Sequence, residues 1–309
     1  MSNRAVGVVG GGLMGAGIAT KFALAGHEVL ILETSAERRA TIPAVITDVL
    51  QELIAAGIVD AAGGAAARER VKLVETLPAL AAAPVIIEAI PEVLAAKQEL
   101  YRQLEVALAP GTVIASNTSG LMPDVLCANL EHPERFLITH FWNPPHAIPL
   151  VEVVPGVRTD PSVVNHVMAV LRDIGSEPVL LRKAVPGFIG NRIQFAILRE
   201  ALHLVRSGVA DAATIDAVVK ASLGRRYAIM GPFEAADLGG LETFLRVAMN
   251  LLPALARDES GLDELRERIS RGETGAATGQ GFYPWTDQRR DAIRQERIAF
   301  QLRVRPESR

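Results

Sequence analysis

Short apolar runs alternate with longer amphipathic stretches through the first half of the chain. Ala5–Val9, residues 29–32, Val85–Glu88, residues 112–115 and residues 135–139 are mostly apolar, β-branched and bounded by turn residues. That is the pattern of strands buried on both faces. Between them, residues 13–25, 36–56 and 91–109 read as helices, the last with Leu94, Leu100, Leu104 and Leu108 near one face. The alternation predicts a parallel sheet covered by helices on both sides. Residues 61–67, AAGGAAA, read as a low-complexity loop, and strands at 150–154 and 178–181 flank a helix over 162–173. After about Ala184 strand signals almost vanish. Pro186-Gly187 breaks the chain, and residues 190–205, 212–222, 233–255, 262–271 and 287–304 read as helices. The pattern predicts an α/β domain over residues 1–184 and an all-α domain over residues 185–309.

Composition narrows the classes. A chain of 309 residues is long enough for two domains, and 49% hydrophobic with 22% charged residues excludes general disorder. The 32 basic and 35 acidic residues are interspersed without a basic block, so neither nucleic acid nor an anionic membrane has an electrostatic footprint. No eighteen consecutive apolar residues predict a membrane span, and Lys21, His27 and Glu28 interrupt the apolar N-terminus too early for a signal peptide. Cys127, the only cysteine, allows no internal disulfide. This fits a reducing compartment, and the expectation is a soluble cytoplasmic protein. The six histidines lack ligand spacing, so no metal is expected. Only five basic residues are lysines, Lys21, Lys72, Lys97, Lys183 and Lys220.

The first predicted strand runs into Gly10-Gly11-Gly12-Leu13-Met14-Gly15, a G-x-G-x-x-G turn that opens a helix. Gly10 permits the tight turn, Gly12 lets a pyrophosphate approach the backbone, and Gly15 allows close helix–strand packing. The helix N-terminus, at Leu13 and Met14, supplies amide donors and a positive dipole. The second strand ends at Glu33, where a carboxylate suits the hydroxyls of an adenine ribose and repels a 2′-phosphate. The expected cofactor is NAD rather than NADP.

Three polar segments follow later strands: Ser116-Asn117-Thr118-Ser119, His140-Phe141-Trp142-Asn143-Pro144-Pro145-His146, and Glu152 within the apolar run 148–154. A carboxylate in such a run needs a partner, and a nearby histidine is a natural one. Hydride removal from an alcohol needs a base near neutral pH. Histidine fits that task when a carboxylate fixes its tautomer, and hydroxyl or amide donors such as Ser119 and Asn191 can hold the substrate oxygen. Taken singly, each of these residues is equally compatible with a packing role. Trp142 and Asn143 are candidate substrate contacts, and His146 is either such a contact or part of a surface turn.

The segments VGVVGGGLMGAGIA, IIEAIPEVLAAKQELY, ASNTSG, THFWNPPHAIPLVEVVPG, VPGFIGNRI, GPFEAADLGGL and TGQGFYPW stand in this order. On them the chain resembles the L-3-hydroxyacyl-CoA dehydrogenase superfamily over essentially its whole length. The resemblance implies a Rossmann-type NAD-binding domain followed by a helical domain that pairs two copies into a homodimer. It implies His140 as the base, paired to Glu152, with Ser119 and Asn191 on the substrate oxygen. It also implies cofactor contacts at Glu92, Lys97 and Asn117. The activity it implies for this chain is NAD-dependent oxidation of the 3-hydroxy group of an L-3-hydroxyacyl-CoA, with the same chemistry on a small non-CoA hydroxy acid as the alternative.

Several residues depart from the acyl-CoA pattern. Acyl-CoA members usually carry lysines in the helical hairpin after the second strand, whereas residues 34–70 contain none. The phrase WNPPHAIPLVEV is closer to relatives that oxidise small non-CoA hydroxy acids, of the gulonate, carnitine and vitamin-B6-degradation types. For a free carboxylate, Arg225 or Arg226 is a candidate clamp or, equally, a solvated helix-end charge. A dehydrogenase of the 3-hydroxyisobutyrate type is disfavoured, because Gly187 stands where those enzymes carry a lysine four residues before the asparagine. A catalytically silent NAD-binding protein is the other reading, against which stands the intact Ser119, His140, Glu152 and Asn191 set.

Overall fold

The computed structural model describes residues 5–303, so residues 1–4 and 304–309, with the last residue of the helix expected over 287–304, lie outside the described residues. The chain divides into two compact units between Ile189 and Gly190.

The first unit contains β1 (Ala5–Val9), α1 (Leu13–Leu24), β2 (Glu28–Leu32), α2 (Ala36–Ala55), α3 (Ala61–Arg70), β3 (Val71–Val74), β4 (Val85–Glu88), α4 (Leu94–Ala107), β5 (Val113–Ser116), α5 (Pro123–Leu126), β6 (Phe136–Phe141), β7 (Leu150–Pro155), α6 (Pro161–Asp173) and β8 (Glu177–Leu180). The strands form one sheet in the order β3-β2-β1-β4-β5-β6-β7-β8. All neighbours are parallel except β6 and β7. The first six strands have the doubly wound Rossmann order, and β7 turns back against β6. A parallel sheet must be covered on both faces. Accordingly, one core gathers Phe22, Ile31, Ile42 and Val167, and a second gathers Ile86, Tyr101, Leu104 and Phe136.

Two stretches around α3 differ from the sequence expectation. Residues 61–67 are not a loop but most of α3, whose first turn is capped by Asp60 Oδ1 accepting from Gly63 N at 2.6 Å. The four-residue strand β3 follows directly at the sheet edge, too short and too broken by Lys72 to register as an apolar run.

The second unit is helical: α7 (Gly190–Arg206), α8 (Ala212–Ala221), α9 (Leu223–Tyr227), α10 (Pro232–Gly239), α11 (Leu241–Leu251), α12 (Gly261–Ser270) and α13 (Asp287–Arg303). The single helix expected over 233–255 is interrupted because Gly240 takes φ 83°, outside helical geometry. Among the described residues no helix is long and apolar enough to cross a membrane, and no group of three or more His, Cys, Asp or Glu side chains is placed to hold a metal ion.

Candidate active site

The order reverses at β1 and β4, and the strand exits on that edge carry the polar segments. This is where open α/β sheets take ligands. Gly10 leaves β1 with φ 99°, and an added Cβ would lie 2.8 Å from Ala89 O at the exit of β4. A Cβ on Gly15 would lie 1.8 Å from Gly10 O, so α1 approaches the turn as closely as backbone permits. Gly12 precedes α1 with no side-chain cap and open space around its Cα, and Leu13 is exposed while Met14 packs against the core. The first amides of α1 are therefore uncapped toward the open side, as a pyrophosphate site requires. Glu33 closes the turn from β2: its Oε2 accepts from Gly11 N at 3.3 Å and its Oε1 from Ser35 N at 3.1 Å. These residues fit NAD: glycines that leave room for phosphate, and a carboxylate at the ribose end.

Beyond β4 lies a buried polar network that the strand pattern did not reveal. Glu88, the last residue of β4, is fully buried and receives Lys97 Nζ at 2.6 Å and Ile90 N at 2.7 Å on Oε1. Its Oε2 receives the hydroxyls of Tyr101 and Ser116. Burial, and after it the Glu88 charge, push the Tyr101 hydroxyl far above the usual tyrosine range, so it stays a donor. Lys97 also lies 3.4 Å from Glu92 Oε2, while Glu92 Oε1 accepts from the Thr118 hydroxyl and from Ser119 N. Thus Lys97, expected at the cofactor, is fully buried with its ammonium between two carboxylates. The signal for the network was a charged residue ending an otherwise apolar four-residue strand.

Asn117 Oδ1 accepts from Phe141 N at 3.0 Å, tying the exit of β5 to that of β6. Ser119 lies one turn further on and is exposed.

His140 and Glu152 are direct cross-strand partners in the antiparallel β6–β7 pair, so their side chains share a face. Nδ1 of His140 lies 2.8 Å from Glu152 Oε2. A carboxylate accepts only, so Nδ1 carries a proton, and in the neutral imidazole the lone pair is then on Nε2. Glu152 also accepts from Ile189 N at 2.8 Å on Oε1 and from Trp142 Nε1 at 3.3 Å on Oε2. Phe188, buried and with φ 52°, sets its ring 5.4 Å from the imidazole centroid. A bulky residue in the left-handed region is uncommon, and here it brings both the ring and the following amide to the pair.

Two further candidates lie on the loop after β6. Asn143 is exposed on the loop after β6. His146 is not in a surface turn: its side chain is 4% exposed and its Nε2 lies 3.4 Å from Glu52 Oε2 of α2, so it anchors the loop. Asn191, in the first turn of α7, and the exposed Arg225 and Arg226, in α9, belong to the second unit.

The family model for the 3-hydroxyacyl-CoA dehydrogenase NAD-binding domain matches residues 5–185, and that for the 3-hydroxyacyl-CoA dehydrogenase C-terminal domain matches residues 187–285. A 5-formyl-3-hydroxy-2-methylpyridine 4-carboxylate 5-dehydrogenase of Mesorhizobium japonicum is 32% identical over 98% of this chain and 97% of its own. A solved structure of an enzyme of that name, described as an NAD+-dependent dismutase, has a TM-score of 0.89 at 31% identity, covering 98% of this chain and 97% of its own. A 3-hydroxybutyryl-CoA dehydrogenase of Bradyrhizobium diazoefficiens is 33% identical over 91% of this chain and 95% of its own.

Proposed function

For a chain that belongs to the 3-hydroxyacyl-CoA dehydrogenase family, and so is an NAD-dependent dehydrogenase, we propose oxidation of the hydroxyl of a small free hydroxy acid to a carbonyl. The observation that carries the chemistry is the His140–Glu152 pair, in which the carboxylate holds Nδ1. His140 takes the hydroxyl proton at Nε2 as the carbonyl forms, and Glu152 stabilises the resulting imidazolium. NAD, when bound, supplies the hydride acceptor. Gly10, Gly12, Leu13, Met14, Gly15 and Glu33 are assigned to its adenosine and pyrophosphate, and Glu92, Lys97 and Asn117 to its nicotinamide side. Ser119 is assigned to the substrate oxygen together with Asn191, whose role follows the family resemblance.

Two observations support a substrate without CoA. Residues 34–70 lack lysine, and two of their arginines are engaged internally. Arg39 donates to Glu33 O and Thr34 O and pairs with Glu75 at 3.0 Å, while Arg70 donates to Ala23 O. The pyridine-carboxylate relative also matches along nearly its full length. The second reading, an L-3-hydroxyacyl-CoA substrate, is favoured by the likeness to 3-hydroxybutyryl-CoA dehydrogenase. Steady-state reduction with NADH separates them. Short free keto acids are expected to exceed acetoacetyl-CoA in kcat/KM by about tenfold or more. Faster turnover of acetoacetyl-CoA contradicts the proposal.

The second unit exposes Ile229, Phe233, Leu238, Leu245 and Met249, each more than half accessible. Such a density of large apolar side chains supports a homodimer through this unit. Light scattering is then expected to give twice the 33.0 kDa chain mass, and a monomer at micromolar concentration removes this part.

A further inference from the structure

We propose that Trp142 is a positioning residue of the reaction: its indole N–H shares Glu152 Oε2 with His140 Nδ1 and thereby sets the pH at which His140 becomes the base. The inference rests on His140 being that base.

The geometry comes from strand periodicity. His140 is the penultimate residue of β6 and Trp142 immediately follows the strand, so the two project to the same face, toward Glu152 across the ladder. The rings lie 5.8 Å apart, inclined at 50°. Phe188 flanks the imidazole with an interplanar angle of 56°. Glu152 is almost fully buried, and the groups it accepts from include Ile189 N at 2.8 Å, His140 Nδ1 at 2.8 Å and Trp142 Nε1 at 3.3 Å. Of these, two converge on Oε2. The charged group against the His140 ring is Glu152; its neighbours from the strand exit and from the 188–189 segment, Trp142, Phe188 and Ile189, are uncharged.

A carboxylate oxygen that serves two donors gives less to each. Each N–H that points at Glu152 stabilises its negative charge independently of His140, so the carboxylate's hold on the imidazolium is weakened by the share Trp142 takes. Removing the indole N–H takes one donor from the oxygen that holds His140 Nδ1. The imidazolium is then held more tightly, and His140 gives up its proton only at higher pH. A tryptophan that merely filled space beside the histidine would produce no such change, because phenylalanine presents a comparable apolar ring.

The test is the pH dependence of kcat/KM for alcohol oxidation at saturating NAD, in the full-length wild type and in Trp142→Phe. The acid limb of the variant is expected to move upward by about half to one pH unit, whatever the plateau rate. An acid limb that does not move overturns the proposal, as does a uniform loss of rate at every pH with an unmoved limb, which is the outcome of a purely structural role. Should Trp142→Phe fail to fold, the measurement is repeated with tryptophan replaced by its sulfur isostere β-(3-benzothienyl)alanine in a Trp285→Phe background, which removes the N–H and keeps the shape. Wild-type turnover in His140→Gln overturns the reading of His140 as the base and this inference with it. Loss of turnover in His140→Gln beside an unmoved limb in Trp142→Phe overturns this inference alone.

Discussion

Lys97 shows what a single side chain can be asked to do inside this sheet. Its ammonium group is fully buried, 2.6 Å from Glu88 Oε1, and the same carboxylate is served by Tyr101, Ser116 and the Ile90 amide. Withdrawing two charges from water costs several kcal/mol each, and the pair recovers this only while both members and their hydrogen bonds are present. Lys97→Met leaves Glu88 charged and buried without its cation. The variant is expected to lose about 3–5 kcal/mol in urea unfolding, as for other broken buried pairs. A loss below about 1 kcal/mol contradicts the account of this network. The sequence marked Lys97 through the family motif but did not reveal Glu88 as its partner, because a carboxylate at the end of a strand looks the same whether it meets solvent or a lysine nine residues on. The His140–Glu152 pair was more legible. Glu152 interrupts an apolar run, which requires a partner, and a histidine precedes it by one strand and a turn.

At the scale of elements, periodicity located the long helices and the buried parallel strands of the first unit. What it missed has physical causes. α3 carries two adjacent glycines, each costing about 1 kcal/mol against alanine in a helix, and no apolar side chain larger than alanine to mark a buried face. Its stability comes from the Asp60 cap and from packing, with Gly64 so close to α2 that an added Cβ would lie 2.9 Å from Ile54 Cδ1. β3 is an edge strand with Lys72 at its second position, paired to Glu28 of β2 at 2.8 Å, and an edge can be polar without cost. The helix expected from residue 91 begins only at Leu94, because residues 91–93 make a tight turn, with Val93 N donating to Pro91 O at 2.7 Å, and this turn carries Glu92, which accepts from Thr118 and Ser119. The positions where local pattern failed in β4–α4 are thus positions that build the polar edge of the sheet.

At the scale of the whole molecule, the near balance of charge was legible from composition but silent about chemistry. The scarcity of lysine says more once residues have neighbours: of the basic groups in the segment after β2, Arg39 and Arg70 are tied to backbone carbonyls of their own unit. Reaction type was legible through the ordered family motifs, within which the glycine turn, Glu33, His140 and Glu152 stand as local marks. Substrate class was not, since it depends on how residues far apart in the chain surround a small molecule.

The central claim is that His140 is the base of an NAD-dependent oxidation. It is tested most directly in His140→Gln, by titrating NADH fluorescence and measuring turnover on the same preparation. NADH affinity is expected to stay within about twofold of wild type while kcat falls by about 10²–10⁴-fold. Turnover near the wild-type rate with the cofactor bound contradicts the account.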